Sequence, residues 1–320
     1  MTPTENTTTR NGNTTTATEN SRKTVLRSPL GILSTSTATH GTGRNGDIPL
    51  PRLPGFVESA FSPLAYEAAR LCLAERPDGG TSRSGGTSRP EAGGEAGSGG
   101  GSRTAVALAS TAGDTTTADL ASSRMVSGRV HNPLLFMQAT PNSVLGYLSR
   151  EFGITGQMFS LSTLDDPLTE LLSMADLLLE DPEVDRVLVM GVELGGGERL
   201  AAVYEELADG HGQPAPALPA DAGLAAAVLL SRPGTGTPVS IRSAEAYEND
   251  GDTSADGTGT RAHPGSIQSL FDLVGLHRRL LQEGGSHLLP TDSRAPAFLL
   301  TADTEATTIT RNETETHAHQ

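Results

Sequence analysis

Apolar residues along this chain fall into blocks separated by polar stretches. The block with the clearest period is Leu168, Leu171, Leu172, Ala175, Leu178 and Leu179, whose three- and four-residue steps make one stripe of an α-helix. Asp166 and Pro167 fit its start as N-cap and first residue, and Pro182 marks its end. Val184–Val192 (VDRVLVMGV) is nearly all apolar, the pattern of a strand buried on both faces. Ala222–Ser231 (AGLAAAVLLS), Thr104–Thr111 (TAVALAST) and Gln157–Thr163 (QMFSLST) read as further strands. Pro141-Asn142-Ser143 leads into a helix, Val144–Phe152, stopped by Gly153. Ser62-Pro63 opens another, running to Glu75 with Leu64, Ala68, Leu71 and Cys72 on one face. Val25–Leu33 reads as a first strand, and Pro29 within it assigns it to a sheet edge. Ile267–Gln282 forms a late helix with Leu270, Phe271, Val274 and Leu281 inward, and Pro296–Thr301 a last strand. Strands and helices alternate, which predicts a layered α/β fold with a mixed sheet flanked by helices.

The polar stretches set the domain plan. Residues 1–23 and 306–320 are too poor in apolar groups to offset ordering entropy and are expected to be disordered. Residues 77–103 are a Gly/Ser-rich flexible insertion, and 235–264 a second flexible stretch. Between them lie one domain, 24–234, and a C-terminal helix and strand, 265–305, packed on it.

Composition narrows the function. The net charge is -15 with a pI near 4.9, which argues against a nucleic-acid or anionic-membrane partner. The chain has one cysteine, Cys72, so no internal disulfide forms; a reducing compartment and a cytoplasmic location are expected. No apolar run approaches the ~20 residues that span a bilayer, and residues 1–23 lack the apolar core of a secretory signal. The sequon at Asn6 is read as chance. Trp is absent, so Leu, Val and Ala must build the core.

In order and spacing, Thr104–Glu193 resembles the N-terminal half of the β-ketoacyl synthase family, with its thiolase-like fold. The carrying strings are Thr104–Thr111, His131-Asn132-Pro133-Leu134-Leu135-Phe136, Pro141–Phe152, Gly153-Ile154-Thr155-Gly156, Met158–Leu164, Leu168–Leu179 and Val187–Glu193. Ala222–Ser231 resembles the strand that closes the family's N-terminal half. Gly156 takes the family's turn glycine, Ser162 and Thr163 its Ser-Thr pair, and Asp165 the position of its nucleophilic cysteine. The match is to free-standing half-length chains, akin to chain-length-factor-type partners.

That substitution has a chemical consequence. A thiolate attacks a thioester with a leaving group of matched energy, and a helix N-terminus lowers its pKa. A carboxylate is a poor thioester nucleophile, and its charge opposes an oxyanion forming beside it. The resemblance further implies two histidines and a lysine from a second half. His263, His277, His287, His317 and His319 do not stand in the family's settings, and the one lysine is Lys23.

Three readings follow. The chain is a ketosynthase-like accessory of fatty-acid or polyketide-type biosynthesis, without condensing activity, that partners an active ketosynthase and acyl carrier protein. Alternatively it is an acyltransferase of altered mechanism completed by a second chain, or a structural relative with no acyl ligand. The family's dimer pairs the strand before the nucleophile, so Met158, Phe159 and Leu161 are the candidate interface of a homo- or heterodimer; they equally suit a core strand. Asp165 and Asp166 are either a capping pair or a binding site. No cofactor or metal is expected.

Other strings carry bland readings. Thr39-His40-Gly41-Thr42-Gly43 with Asp47 looks like the family's histidine motif but stands before the N-terminal half, and reads as a Gly/Thr loop. Cys72 reads as a core residue. Gly195-Gly196-Gly197 lacks the context of a phosphate cradle, His317 and His319 make no defined metal site, and His131-Asn132 read as a loop hydrogen bond.

Overall fold

The computed structural model describes residues 25–74, 101–129, 134–162, 166–198, 200–202, 205–206, 218–234, 236–244, 266–291 and 297–302. The expected disordered ends, nearly all of the 77–103 insertion, and residues 235 and 245–264 of the expected flexible stretch lie outside the described residues, as do Asn6, Lys23, His131, Asn132, Thr163, Leu164, Asp165, His263, His317 and His319; Val239–Ser243 within that stretch is instead a strand of the sheet.

The described elements run β1 (Leu30–His40), α1 (Phe61–Ala74), β2 (Thr104–Ala109), α2 (Thr115–Val126), α3 (Leu134–Gln138), α4 (Pro141–Phe152), β3 (Met158–Leu161), α5 (Pro167–Leu178), β4 (Arg186–Leu194), β5 (Gly223–Ser231), β6 (Val239–Ser243), α6 (Gln268–Glu283), β7 (Ser286–Leu289) and β8 (Phe298–Ala302). The strands form one mixed eight-stranded sheet in the order β3-β2-β4-β5-β1-β6-β8-β7. β2 pairs in parallel with β3 and β4, whereas β5 runs antiparallel to both β4 and β1. The C-terminal ends of β1, β2, β3 and β4 therefore lie along one margin of the sheet.

Helices cover both faces, and the strands show why. In β4, Val187 and Val189 pack with α5 and α6, while Leu188, Met190 and Val192 pack with α1 and α4. β5 divides the same way, Ala226, Val228 and Leu230 against Ala225, Ala227 and Leu229. Side chains alternate faces along a strand, so a continuous apolar run serves two helical layers at once. At ~25 cal/mol per Å2 of apolar area, this double burial is the main source of stability.

The α5 stripe is as the spacing predicts: Leu168, Leu171, Leu172 and Ala175 are fully buried. α4 ends at Gly153 in a left-handed conformation with φ 64°, where glycine avoids the strain a Cβ would bring. Gly156 is required for another reason: a Cβ there would stand 2.6 Å from the carbonyl oxygen of Thr104.

Several expectations are corrected. The first strand is not an edge strand over Val25–Leu33; it runs Leu30–His40 between β5 and β6, with Pro29 just before it. Its middle, Ser34-Thr35-Ser36, is polar yet buried. Ser34 and Ser36 donate to the carbonyls of Cys72 and Ala68 on α1, at 2.7 and 2.6 Å, so their hydroxyls are satisfied by the covering helix. Ser62 does not cap α1; it is buried, and Ser59 accepts from the Phe61 amide at 3.1 Å instead. Leu71 is half-buried beside the true stripe of Leu64, Ala65, Ala68, Ala69 and Cys72. On α6 the buried positions are Leu270, Leu273, Val274, His277 and Leu280, and Leu281 is exposed.

Candidate functional site

The turn between β3 and α5 carries the candidate residues. β3 is an edge strand whose one described neighbour is β2. The carbonyls of Gln157 and Leu161 accept from Val106 and Ser110, at 2.9 and 3.0 Å. Ladder alternation then turns the amides and carbonyls of Met158 and Ser160 to the open side. Met158 is 38 % exposed, whereas Phe159 and Leu161 lean on the core under α5. Ser162, at the strand's end, donates to the carbonyl of Thr111 at 2.9 Å and so ties the ends of β3 and β2 together.

Asp166 is the N-cap of α5, with extended backbone (φ -131°, ψ 99°). Its Oδ1 accepts from the Leu168 amide at 3.2 Å and from Ser269 Oγ at 3.3 Å; its Oδ2 accepts from Thr169 Oγ1 at 2.5 Å. The side chain thus starts α5 and joins it to α6, and it is buried. Both oxygens are committed to fixed donors, which is the arrangement of a cap. Asp165 and Thr163 lie outside the described residues.

Asp114 is a second capped carboxylate at this margin. It follows β2, caps α2, and accepts from the Thr117 amide and hydroxyl at 3.0 and 2.8 Å. Burial pushes its carboxyl above the usual range, and hydrogen bonds from Thr117 and Ser59 oppose that shift.

The other strings resolve into structure. Thr39 and His40 end β1, and Asp47 folds the loop back. Its carboxylate accepts from Thr42 Oγ1 at 2.6 Å and the Gly43 amide at 2.9 Å, bonds that hold it below the usual carboxylate range. Cys72 is fully buried on α1, its Sγ 3.4 Å from Ser34 Oγ. Gly195 passes so close to Pro219 that a Cβ would meet the carbonyl oxygen at 1.8 Å; this glycine serves chain packing.

Two buried polar groups escape a pattern-based reading. Asp176 on α5 accepts from the Arg27 amide at 2.7 Å and pairs with Arg232, joining three distant segments. His277 on α6 sits inside the apolar stripe, its Nδ1 3.1 Å from Thr35 Oγ1 and its buried Nε2 without a hydrogen-bond partner among the described residues. Burial, with Arg278 nearby, lowers its pKa to about 4. The signal for both was a polar residue interrupting an apolar period.

No protein-family model and no curated protein matches the chain. Solved structures do. One is a ketosynthase in complex with its chain length factor from Xenorhabdus doucetiae, at 14 % identity and TM-score 0.48, covering 85 % of this chain and 99 % of that one. Another is a type II polyketide synthase acyl-carrier protein in complex with its ketosynthase, at 14 % identity and TM-score 0.42; the match covers 64 % of this chain and 63 % of that one. A third is a β-ketoacyl synthase from Burkholderia phymatum, at 15 % identity and TM-score 0.41, covering 68 % and 62 %. The chain's own architecture is α/β, a mixed sheet between two helical layers.

Proposed function

We propose that this chain is a ketosynthase-like accessory that pairs with an active ketosynthase of fatty-acid or polyketide-type biosynthesis and does not itself condense acyl groups. One observation carries the reading: the open edge of β3 stands directly before the position where the resemblance expects a nucleophilic thiol, and the chain's one cysteine is elsewhere, buried in α1. Without a thiolate at that turn, acyl transfer to the chain lacks its nucleophile. Asp166 is no substitute, because both its oxygens are bonded to neighbouring donors.

What the chain keeps is the docking edge. Outward amides and carbonyls on Met158 and Ser160 suit a partner strand that continues the sheet, and exposed Met158 adds apolar contact. In this reading the acyl carrier protein delivers its cargo to the partner's thiol, and the present chain shapes or stabilises the pair.

The test is co-expression with a ketosynthase encoded nearby, followed by affinity purification and acyl labelling from a loaded carrier protein. A stoichiometric pair whose label resides wholly on the ketosynthase is the expected result. Label on this chain that disappears in Asp165→Ala, or no association with any such ketosynthase, would contradict the proposal.

A further inference from the structure

Away from the β3–α5 turn, at the same margin of the sheet, the ends of β1 and β4 open into a cleft of about 530 Å3. Its size is within the ~300–1,000 Å3 common for small-molecule sites. Its lining includes the apolar Leu50, Phe56, Val57 and Leu194 and the charged or polar His40, Arg52, Glu58 and Asp221.

The backbone that carries Asp221 and the ring of His40 are held in place. Gly41 has φ 66°, and a Cβ on it would stand 2.8 Å from the carbonyl oxygen of Asp221, so the close approach of these two backbones needs glycine. The Ala222 amide donates to Pro219 at 2.9 Å and the Gly195 amide to Ala222 at 2.7 Å, which fixes the turn carrying Asp221. The His40 Nδ1 lies 2.9 Å from the Ile48 carbonyl. A carbonyl only accepts, so Nδ1 carries a hydrogen and donates it to Ile48. Among the described residues neither Arg52 nor Asp221 has an ion-pair partner, whereas Glu58 in the same lining pairs with Arg124 at 3.5 Å. The N-termini of α1 and α2 also border the cleft, through Ser59 and Thr116. The dipole of α1 adds to Arg52 in favouring a negative group, whereas the N-terminus of α2 already carries the Asp114 carboxylate.

A cation and a carboxylate without ion-pair partners among the described residues, an imidazole and several apolar side chains share one lining and define the complementary ligand. A plain anion would approach against the field of a chain carrying -15 charges and would meet Asp221. A molecule with both charges satisfies each group and incurs no such repulsion. We infer that this cleft binds a small apolar zwitterion of the amino-acid or dipeptide class. Its carboxylate lies toward Arg52 and the N-terminus of α1, its ammonium toward Asp221, and its side chains rest on Leu50, Phe56 and Val57.

Isothermal titration of the full chain with L-leucyl-L-phenylalanine, its N-acetylated form and its C-terminal amide tests this. The free dipeptide is expected to saturate, and each blocked form to bind at least about tenfold more weakly, the loss of one charge-assisted contact. Arg52→Ala should weaken the free dipeptide yet leave the amide unchanged; Asp221→Asn should weaken it yet leave the acetylated form unchanged. Both side chains are exposed, so the unfolding transition of each variant should match that of the parent. Absence of saturation at about 10 mM, well above the Kd range of specific sites, overturns the inference. Equal binding of free and blocked forms overturns it, as does sensitivity to one blocked end alone. Variants that bind all three forms like the parent overturn the assignment of Arg52 and Asp221.

Discussion

The start of α5 and the cleft at the end of β1 lie along the same margin of the sheet, and both present a carboxylate, but the two carboxylates are in opposite situations. At α5 every oxygen of Asp166 is engaged by an amide or hydroxyl of the chain itself. At the cleft Asp221 and Arg52 have no such partners among the described residues. A group whose bonding is completed internally serves the fold, and one left open is available to a ligand. Position relative to a family motif would have pointed to the α5 end; the charged groups left without partners among the described residues lie at the cleft.

His277 is intermediate between these extremes, with Nδ1 bonded, Nε2 buried without a partner among the described residues, and the largest expected effect. Its pKa falls from an ordinary 6.5 to about 4 in the folded chain. The unfolded chain therefore takes up the proton first. Stability should be constant above about pH 6.5, fall as pH drops toward about 4, and change no further below it on this account, a loss on the order of 3 kcal/mol. Denaturant unfolding across that range should reveal it, and His277→Gln should flatten the curve.

Asp166→Ala comes next. It removes the cap of α5 and the acceptor of Ser269, and should cost about 1–2 kcal/mol, read as a lower denaturation midpoint. Asp166→Asn, which keeps an acceptor oxygen, should recover part of the loss. A stability change near zero for Asp166→Ala would erase the contrast with the cleft. Arg52→Ala and Asp221→Asn mark the smallest effect: unfolding shifts within about 0.5 kcal/mol, while dipeptide affinity changes.

Much of this architecture is legible in the chain. The α5 stripe, the doubly apolar β4 and β5 and the Gly153 stop follow from periodicity and glycine geometry alone. β1 was obscured because Ser34, Thr35 and Ser36 look like a loop. In the fold their hydroxyls are satisfied by α1 and by His277, partners more than thirty residues away. α2 was obscured because few of its residues are buried, Ala121 alone among its aliphatic ones. On α6 the stripe runs through His277, so a period sought in apolar residues drifts toward Phe271 and Leu281. The cleft was not legible at all: its lining comes from distant segments, among them the ends of β1 and β4 and the starts of α1 and α2.

The central claim is that the chain docks on an active ketosynthase through the open edge of β3. Ser160→Pro tests it most directly, because the Ser160 amide faces away from β2, so proline removes a donor from the docking edge and none from the existing ladder. Purified from co-expression and sized by light scattering, the parent should run as a stoichiometric pair with the ketosynthase. The Ser160→Pro chain should be folded but alone. A variant that still forms the pair, or a parent that never does, would contradict the account.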